Sequence, residues 1–307
     1  MDFAWPTLPP YEQWSDTCDT LHAHTQVLGK LAGALAPREP QLQHAALRLT
    51  ARGWETAPLP APDGSGVLVV ALDLHKHLAL AEHSDGQQAQ VALAPDRAVG
   101  EVTREVVDAV RRLGGELELD LRPAEVPWTV ALDEDDQHAS YDTALVERYF
   151  AAATRAALVL AAFRAPFRGR STPVNAWWGS FDLAVNLFSG EPADPPAGDF
   201  ITRNAMDAQE FALGWWPGDG RYGQAAFYAY AHPSVAELAD ASLSPRAARW
   251  DANLGEYLLD WEDVCSAADP LAAALDFAHT TFHHTCQVCA WNPALLASAE
   301  GDPPPIR

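Results

Sequence analysis

The densest group of chemistry-bearing side chains lies between Pro173 and Gly190, where Trp177, Trp178 and Phe181 stand among Asn175, Ser180 and Asp182. Aromatic surface interleaved with a few polar groups is how small-molecule pockets are lined: the rings supply apolar contact, and the polar groups fix orientation. Trp215-Trp216-Pro217-Gly218 and Phe227-Tyr228-Ala229-Tyr230 repeat this character, and Glu210 just before them adds a second carboxylate. Two accounts compete. Either the tryptophans fill a core, with Asp182 capping a backbone or pairing with an arginine, or one face of the segment lines a pocket. In the pocket account, His22, Asp182 and Glu210 are the candidate catalytic groups, His22 as general acid or base and a carboxylate as its orienter. Gln26, Lys30, Asn175, Trp177, Trp178, Ser180, Trp216 and Tyr228 are the candidate ligand contacts, with Lys30 the electrostatic anchor for an anionic substrate.

Other constellations point less sharply. His279, His283 and Cys286 fall within a narrow sector of one helix, and Cys289 completes a C-x-x-C with Cys286, a set that suits zinc. The same helix carries an apolar stripe through Leu271, Leu275, Ala278, Phe282, Cys286 and Cys289, in which reduced cysteine serves as a small core residue, so no metal site is assigned. His22-Ala-His24 lies on a helix, where positions two apart diverge by about 200°, so only one of the two faces any given site. His75 and His77 would share a strand face and look toward solvent. No phosphate loop, dinucleotide fingerprint, nucleophile elbow or H-E-x-x-H is present, and no cofactor is expected.

The elements that must position these groups follow from periodicity. Residues 11–35 predict a helix with Trp14, Leu21, Leu28, Leu31 and Leu35 near one face, and His22, Gln26 and Lys30 recur every fourth residue beside that face. Ala45–Ala51 alternates as a strand ended by Gly53, Val67–Leu74 is a continuous apolar strand, and the turn at Ser84-Asp85-Gly86 joins His77–His83 to Gln88–Leu93 as a hairpin. Val99, Val102, Val106, Val110 and Leu113 predict a helix stopped by Gly114-Gly115, and Leu117, Leu119 and Leu121 predict a strand. After an acidic loop at Asp133–Asp136, a long helix starts at an Asp142 cap and stops before Pro166. Extended, aromatic segments follow at 174–188 and 225–230, with loops at 190–199 and 217–223, and a last helix opens at Asp269-Pro270. Along a strand, Asn175, Trp177, Gly179 and Phe181 would share one face and Trp178, Ser180 and Asp182 the other.

The expected fold is α+β, with antiparallel sheets covered by long helices and two halves of similar element order packed as one unit. The halves are residues 1–136 and 137–300, followed by a flexible tail at 301–307. The net charge of -22, from 42 acidic and 20 basic residues, repels phosphate backbones and anionic lipid alike, so neither nucleic acid nor a membrane surface is an expected partner. Only Lys30 and Lys76 are lysines. Four scattered cysteines and the lack of a signal peptide or a long apolar run give a cytoplasmic expectation. The function expected is small-ligand binding with room for acid–base chemistry; the rivals are a non-catalytic structural or protein-interaction protein and a metal-binding protein through His279, His283 and Cys286.

Thr172-Pro173-Val174, Trp178-Gly179-Ser180-Phe181-Asp182-Leu183-Ala184-Val185 and Phe188-Ser189-Gly190 together resemble the hallmark block of an uncharacterised bacterial domain-of-unknown-function family, DUF 5996. The resemblance continues through Trp5-Pro6, Thr20-Leu21-His22, Gly29-Lys30, Thr50-Ala51-Arg52-Gly53, Trp216-Pro217-Gly218 and Phe227-Tyr228-Ala229-Tyr230, so it covers nearly the whole chain. It implies no activity, fold or cofactor. It does imply histidine, arginine and histidine where this chain has Asn175, Leu187 and Gln209. His22, Gln26, Lys30, Asp182 and Glu210 match the pattern.

Overall fold

A computed structural model of the chain describes residues 5–198 and 200–295; the expected tail at 301–307 lies outside them. In chain order the elements are α1 (Ser15–Leu35), β1 (Arg48–Leu49), β2 (Gly53–Glu55), β3 (Leu59–Pro60), β4 (Val67–Asp73), β5 (Leu78–His83), β6 (Gln88–Ala92), α2 (Val99–Gly114) and α3 (Thr143–Arg164). There follow β7 (Asn175–Trp177), β8 (Asp182–Pro192), α4 (Phe200–Ala205), β9 (Ala208–Trp216), β10 (Ala226–His232), β11 (Arg249–Asp251), β12 (Glu256–Asp260), α5 (Trp261–Ser266) and α6 (Pro270–Val288). The fold is α+β with two antiparallel sheets. The first runs β1-β2-β4-β5-β6 with β3 also paired to β4, and the second runs β11-β12-β10-β9-β8-β7.

Each sheet buries one face against helices. The valines of α2, spaced at three and four, lie against β5 and β6, and α1 covers β3 and β4. On the second sheet, Leu183, Val185, Phe211, Leu213, Phe227 and Leu259 are fully buried, and the face they form meets α3 and α6. Strand residues alternate between faces, so this apolar set leaves the intervening positions of the same strands on the opposite side. The sheets meet where Leu47 and Ala176 exchange backbone hydrogen bonds of 3.0 and 2.9 Å, and one continuous hydrophobic core draws on both.

Three predicted elements differ. The Ala45–Ala51 strand shrinks to Arg48–Leu49, and Gly53 opens β2 instead of ending a strand. Thr50 and Gly53 exchange backbone hydrogen bonds that reverse the chain, and Gly53 has φ 145 with the Leu72 carbonyl only 2.1 Å from where a Cβ would sit. Leu117, Leu119 and Leu121 do alternate half-buried against exposed neighbours, yet they form no strand. Period-two burial needs only an extended chain, whereas a strand also needs a neighbour to pair with. The segment expected to be extended from 174 to 188 is a hairpin: residues 178–181 turn between β7 and β8, and Phe181 adopts φ 57. The shared-face expectation for Trp178, Ser180 and Asp182 therefore fails, because face alternation is lost through a turn.

The predicted caps hold. The Asp142 carboxylate accepts from the amides of Ala144 and Leu145 at the start of α3, and Asp269 accepts from Ala272 at the start of α6. Asp142→Ala should cost about 1 kcal/mol of stability, the usual worth of such a cap, readable as a lower urea midpoint at unchanged slope.

Candidate functional site

The strand positions turned away from the core form the floor of a cavity of about 300 Å³. Alternation explains its membership: Asp182, Ala184 and Asn186 come from β8, Glu210 and Trp216 from β9, Tyr228 and Tyr230 from β10, and Glu256 from β12. Trp177 closes the β7 side, and α4 together with the turn around Gln41 and Leu42 forms a rim. That rim is held in place by Gln41, which donates to Asp207 and accepts from Arg170 at 2.8 Å, while both Gln41 and Leu42 sit in the left-handed region at φ 50 and 54. Position 214 of the floor carries no side chain. A Cβ there would lie 2.3 Å from the Tyr228 ring and hydroxyl, so the glycine lets that ring lie across β9 toward Asp182.

Two carboxyl groups of this surface, Asp182 and Glu210, are buried and a third, Glu256, is half-buried, and desolvation raises all of them by penalising the charged form. Asp182 is pushed up to about 6, although hydroxyl hydrogen bonds from Ser180 and Tyr228 oppose the shift. Glu256 is pushed up to about 7 by burial and by the neighbouring Asp182, partly offset by Arg221. Glu210, only 2% exposed, is pushed up to about 8, with Asn186 and Arg170 pulling the other way and Asp207 adding to the rise. Its Oε2 has no hydrogen-bond partner. The phenols of Tyr228 and Tyr230 are driven well above their ordinary value, so both stay neutral hydroxyl groups. Three carboxyls poised near neutrality can hold, release or accept protons, and when ionised they form an anionic surface among aromatic rings.

Six of the sequence candidates therefore line one cavity: Asp182, Glu210, Trp177, Ser180, Trp216 and Tyr228. Asn175 stands just behind it, fully buried, accepting from Arg48 at 2.5 Å and donating to the cavity residue Gln43 at 2.8 Å. The α1 stripe is elsewhere. His22 lies 2.8 and 3.2 Å from the carbonyl oxygens of Trp178 and Gly179, so its Nε2 carries the proton and donates. Its ring stacks on Phe181 at 4.8 Å, and burial lowers its pKa to about 4, leaving it neutral. His22, expected as a general acid or base, fastens a turn and is not among the cavity-lining residues. Gln26 bonds the amide and carbonyl of Ala124 at 2.9 and 2.8 Å, steadying the irregular stretch that brings Glu125 to the cavity. Lys30 lies 5.5 Å from the centre of the Trp178 ring and is not a cavity residue, so it is no anchor for an anion there. Trp178 itself points to α1, donating to the Ala45 carbonyl at 3.0 Å and filling the space left by Gly29.

The last-helix cluster does not assemble. His279 and His283 are exposed, whereas Cys286 is buried in the core, where burial pushes its thiol up to about 12. Among the described residues, no group of three or more His, Cys, Asp or Glu side chains is placed to hold a metal ion, and no helix is long and apolar enough to cross a membrane. His75 and His77 lie in the turn between β4 and β5, where His77 is 3.2 Å from the Tyr141 hydroxyl rather than sharing a strand face with His75. Sequence reasoning missed Glu256, Tyr230 and Asn186. The available signal was a carboxylate abutting the apolar run Tyr257-Leu258-Leu259, and a Tyr-x-Tyr alternation.

The raised carboxyl groups make stability depend on pH in a definite sense. Between about 4.5 and 8 the folded Glu210 keeps a proton that the unfolded chain has lost, so folding takes up protons and stability falls as pH rises through that window. Glu210→Gln removes this penalty. The variant should melt close to the parent at pH 4.5 and progressively above it up to pH 8, at up to roughly 1.4 kcal/mol per pH unit. Equal melting differences at both ends of the window would contradict the assignment.

No curated protein and no solved structure matches the chain. The positions where the family resemblance implies ionisable groups, Asn175, Leu187 and Gln209, all lie outside the cavity wall. A sequence model of one family matches residues 5–298, nearly the whole length, and the chain belongs to that family, described as a family of unknown function (DUF5996).

Proposed function

We propose that the protein binds a small organic cation in the acidic, aromatic-walled cavity on the outer face of the second sheet. The observation that carries this is Glu210, a buried carboxyl whose Oε2 lacks a partner in a cavity wall where five carboxylic side chains, Glu125, Asp182, Glu210, Asp219 and Glu256, accompany one guanidinium, Arg221. That guanidinium is itself engaged, 2.7 Å from Asp219. Leaving one oxygen of a buried carboxyl without a hydrogen bond costs free energy, and an ammonium group placed beside it recovers the loss. Trp216, Tyr228 and Tyr230 offer faces to the same cation. An anionic ligand would meet repulsion here, and Lys30 stands outside the wall. Concavity and unpaired charge favour ligand binding over a purely structural role. Proton transfer to a bound amine is within reach of Asp182 and Glu210, since both titrate near neutrality.

Binding a cation favours the ionised carboxyls, so association releases protons and tightens as pH rises from about 6 to 8, the span over which Asp182, Glu256 and Glu210 lose theirs. Arg170 beside Glu210 and Arg221 beside Glu256 favour the ionised carboxyls, while Asp207 opposes ionisation of Glu210. In a thermal-shift panel of primary and quaternary amines against carboxylates and phosphates, amines should raise the melting temperature, and more at pH 8 than at pH 6. Asp182→Asn should weaken that binding about tenfold by titration calorimetry. Stabilisation by anions alone, or amine effects independent of pH, would remove the proposal.

A further inference from the structure

The spacing of the acids along the sheet bears on the shape of the ligand. Asp182 begins β8, whereas Glu210 on β9 pairs with Phe188, so the two positions are six residues apart along the strands. At roughly 3.3 Å per residue the two backbones stand about 20 Å apart before their side chains reach inward. Tyr230 pairs with Ala212 and Ala212 with Asn186, so it stands between the two acids along the strands. Glu256 adjoins Tyr257, the β12 partner of Ala229, and so stands across the tyrosines from β8. The sequence of surfaces is carboxyl, aromatic ring, carboxyl, within one continuous cavity.

We infer that the ligand is a flexible aliphatic chain with two or more ammonium groups, a diamine or polyamine, lying along the trough with one ammonium at Asp182 and another at Glu210. This rests on the reading of the cavity as a cation site and narrows it. A singly charged amine seated at Asp182, where Ser180 and Tyr228 already bond the carboxylate, leaves Glu210 and its unpartnered Oε2 uncompensated at 2% exposure. A metal ion is a poor match, because it draws its ligands to one point and these carboxyls are spread along a strand. Methylene segments between ammonium groups match the tyrosine surface between the acids, where they gain apolar burial without desolvating a charge.

The test is calorimetric titration at pH 8 of the intact protein with α,ω-diaminoalkanes of increasing length, spermidine, and n-alkylamines of matching length. The best diamine or spermidine should bind ten- to a hundredfold tighter than the monoamine of equal length, with an optimum length in the series. In Glu210→Gln that advantage should collapse to within about threefold, while a circular dichroism melt shows whether the variant is folded. Equal affinity of monoamines and diamines in the parent protein would overturn the polyamine inference and leave the cation site standing. Persistence of the full diamine advantage in folded Glu210→Gln would do the same. Failure of every amine in both series to bind would sink the cation site and the inference together.

Discussion

A neutral imidazole holds the turn on which the second sheet begins. His22, lifted into the interior by α1, donates to the carbonyls of Trp178 and Gly179, and its ring lies flat against Phe181. Phe181 is in the left-handed region, a conformation that costs a bulky residue about 1–2 kcal/mol and persists only where its surroundings insist on it. They do so here: the Phe181 ring also stacks on Trp54 at 5.4 Å and Tyr149 at 5.1 Å, tying the first sheet, α1 and α3 to one side chain. Trp178 anchors the other end of the turn in the gap at Gly29. Asp182 is the next residue after Phe181, so the position of the acid follows from the packing of the turn.

From that turn onward, the two faces of the sheet work against each other energetically. The inner face removes leucine, phenylalanine and tryptophan side chains from water and supplies much of the drive to fold. The outer face buries two carboxyl groups and half-buries a third, which is unfavourable once they ionise. A sheet that serves only as scaffold has no reason to carry that second burden, and functional sites are where proteins tolerate such conflict. The buried histidines contribute differently: His22 and His24 are both held near a pKa of about 4, so they remain uncharged where the carboxyls change state.

The sequence made the elements with strong period or punctuation legible: α1, α2, the two capped helices and the β5–β6 hairpin. What it hid were features decided by partners distant in the chain. Leu117, Leu119 and Leu121 carry a strand's alternation, but pairing depends on what lies alongside. The stretch from Asn175 to Phe188 reads as one extended segment because its turn has no glycine at the left-handed position; Phe181 takes it, rewarded by tertiary stacking. Aromatic density pointed to the strands that line the cavity. It could not place His22 and Lys30, because a polar stripe on a helix looks the same whether it faces a cavity or fastens a neighbouring turn. Glu256 was invisible because its relation to Asp182 runs across β9 and β10, and no local pattern encodes a sheet's strand order.

Gly214 has a wider consequence. The room left above β9 by the missing side chain is taken by the Tyr228 ring, on a hydrogen-bonded strand between two others. A side chain at position 214 would have to push that ring aside, and with it the hydroxyl that bonds Asp182, so the backbone of one strand sets the surroundings of an acid on the strand beside it.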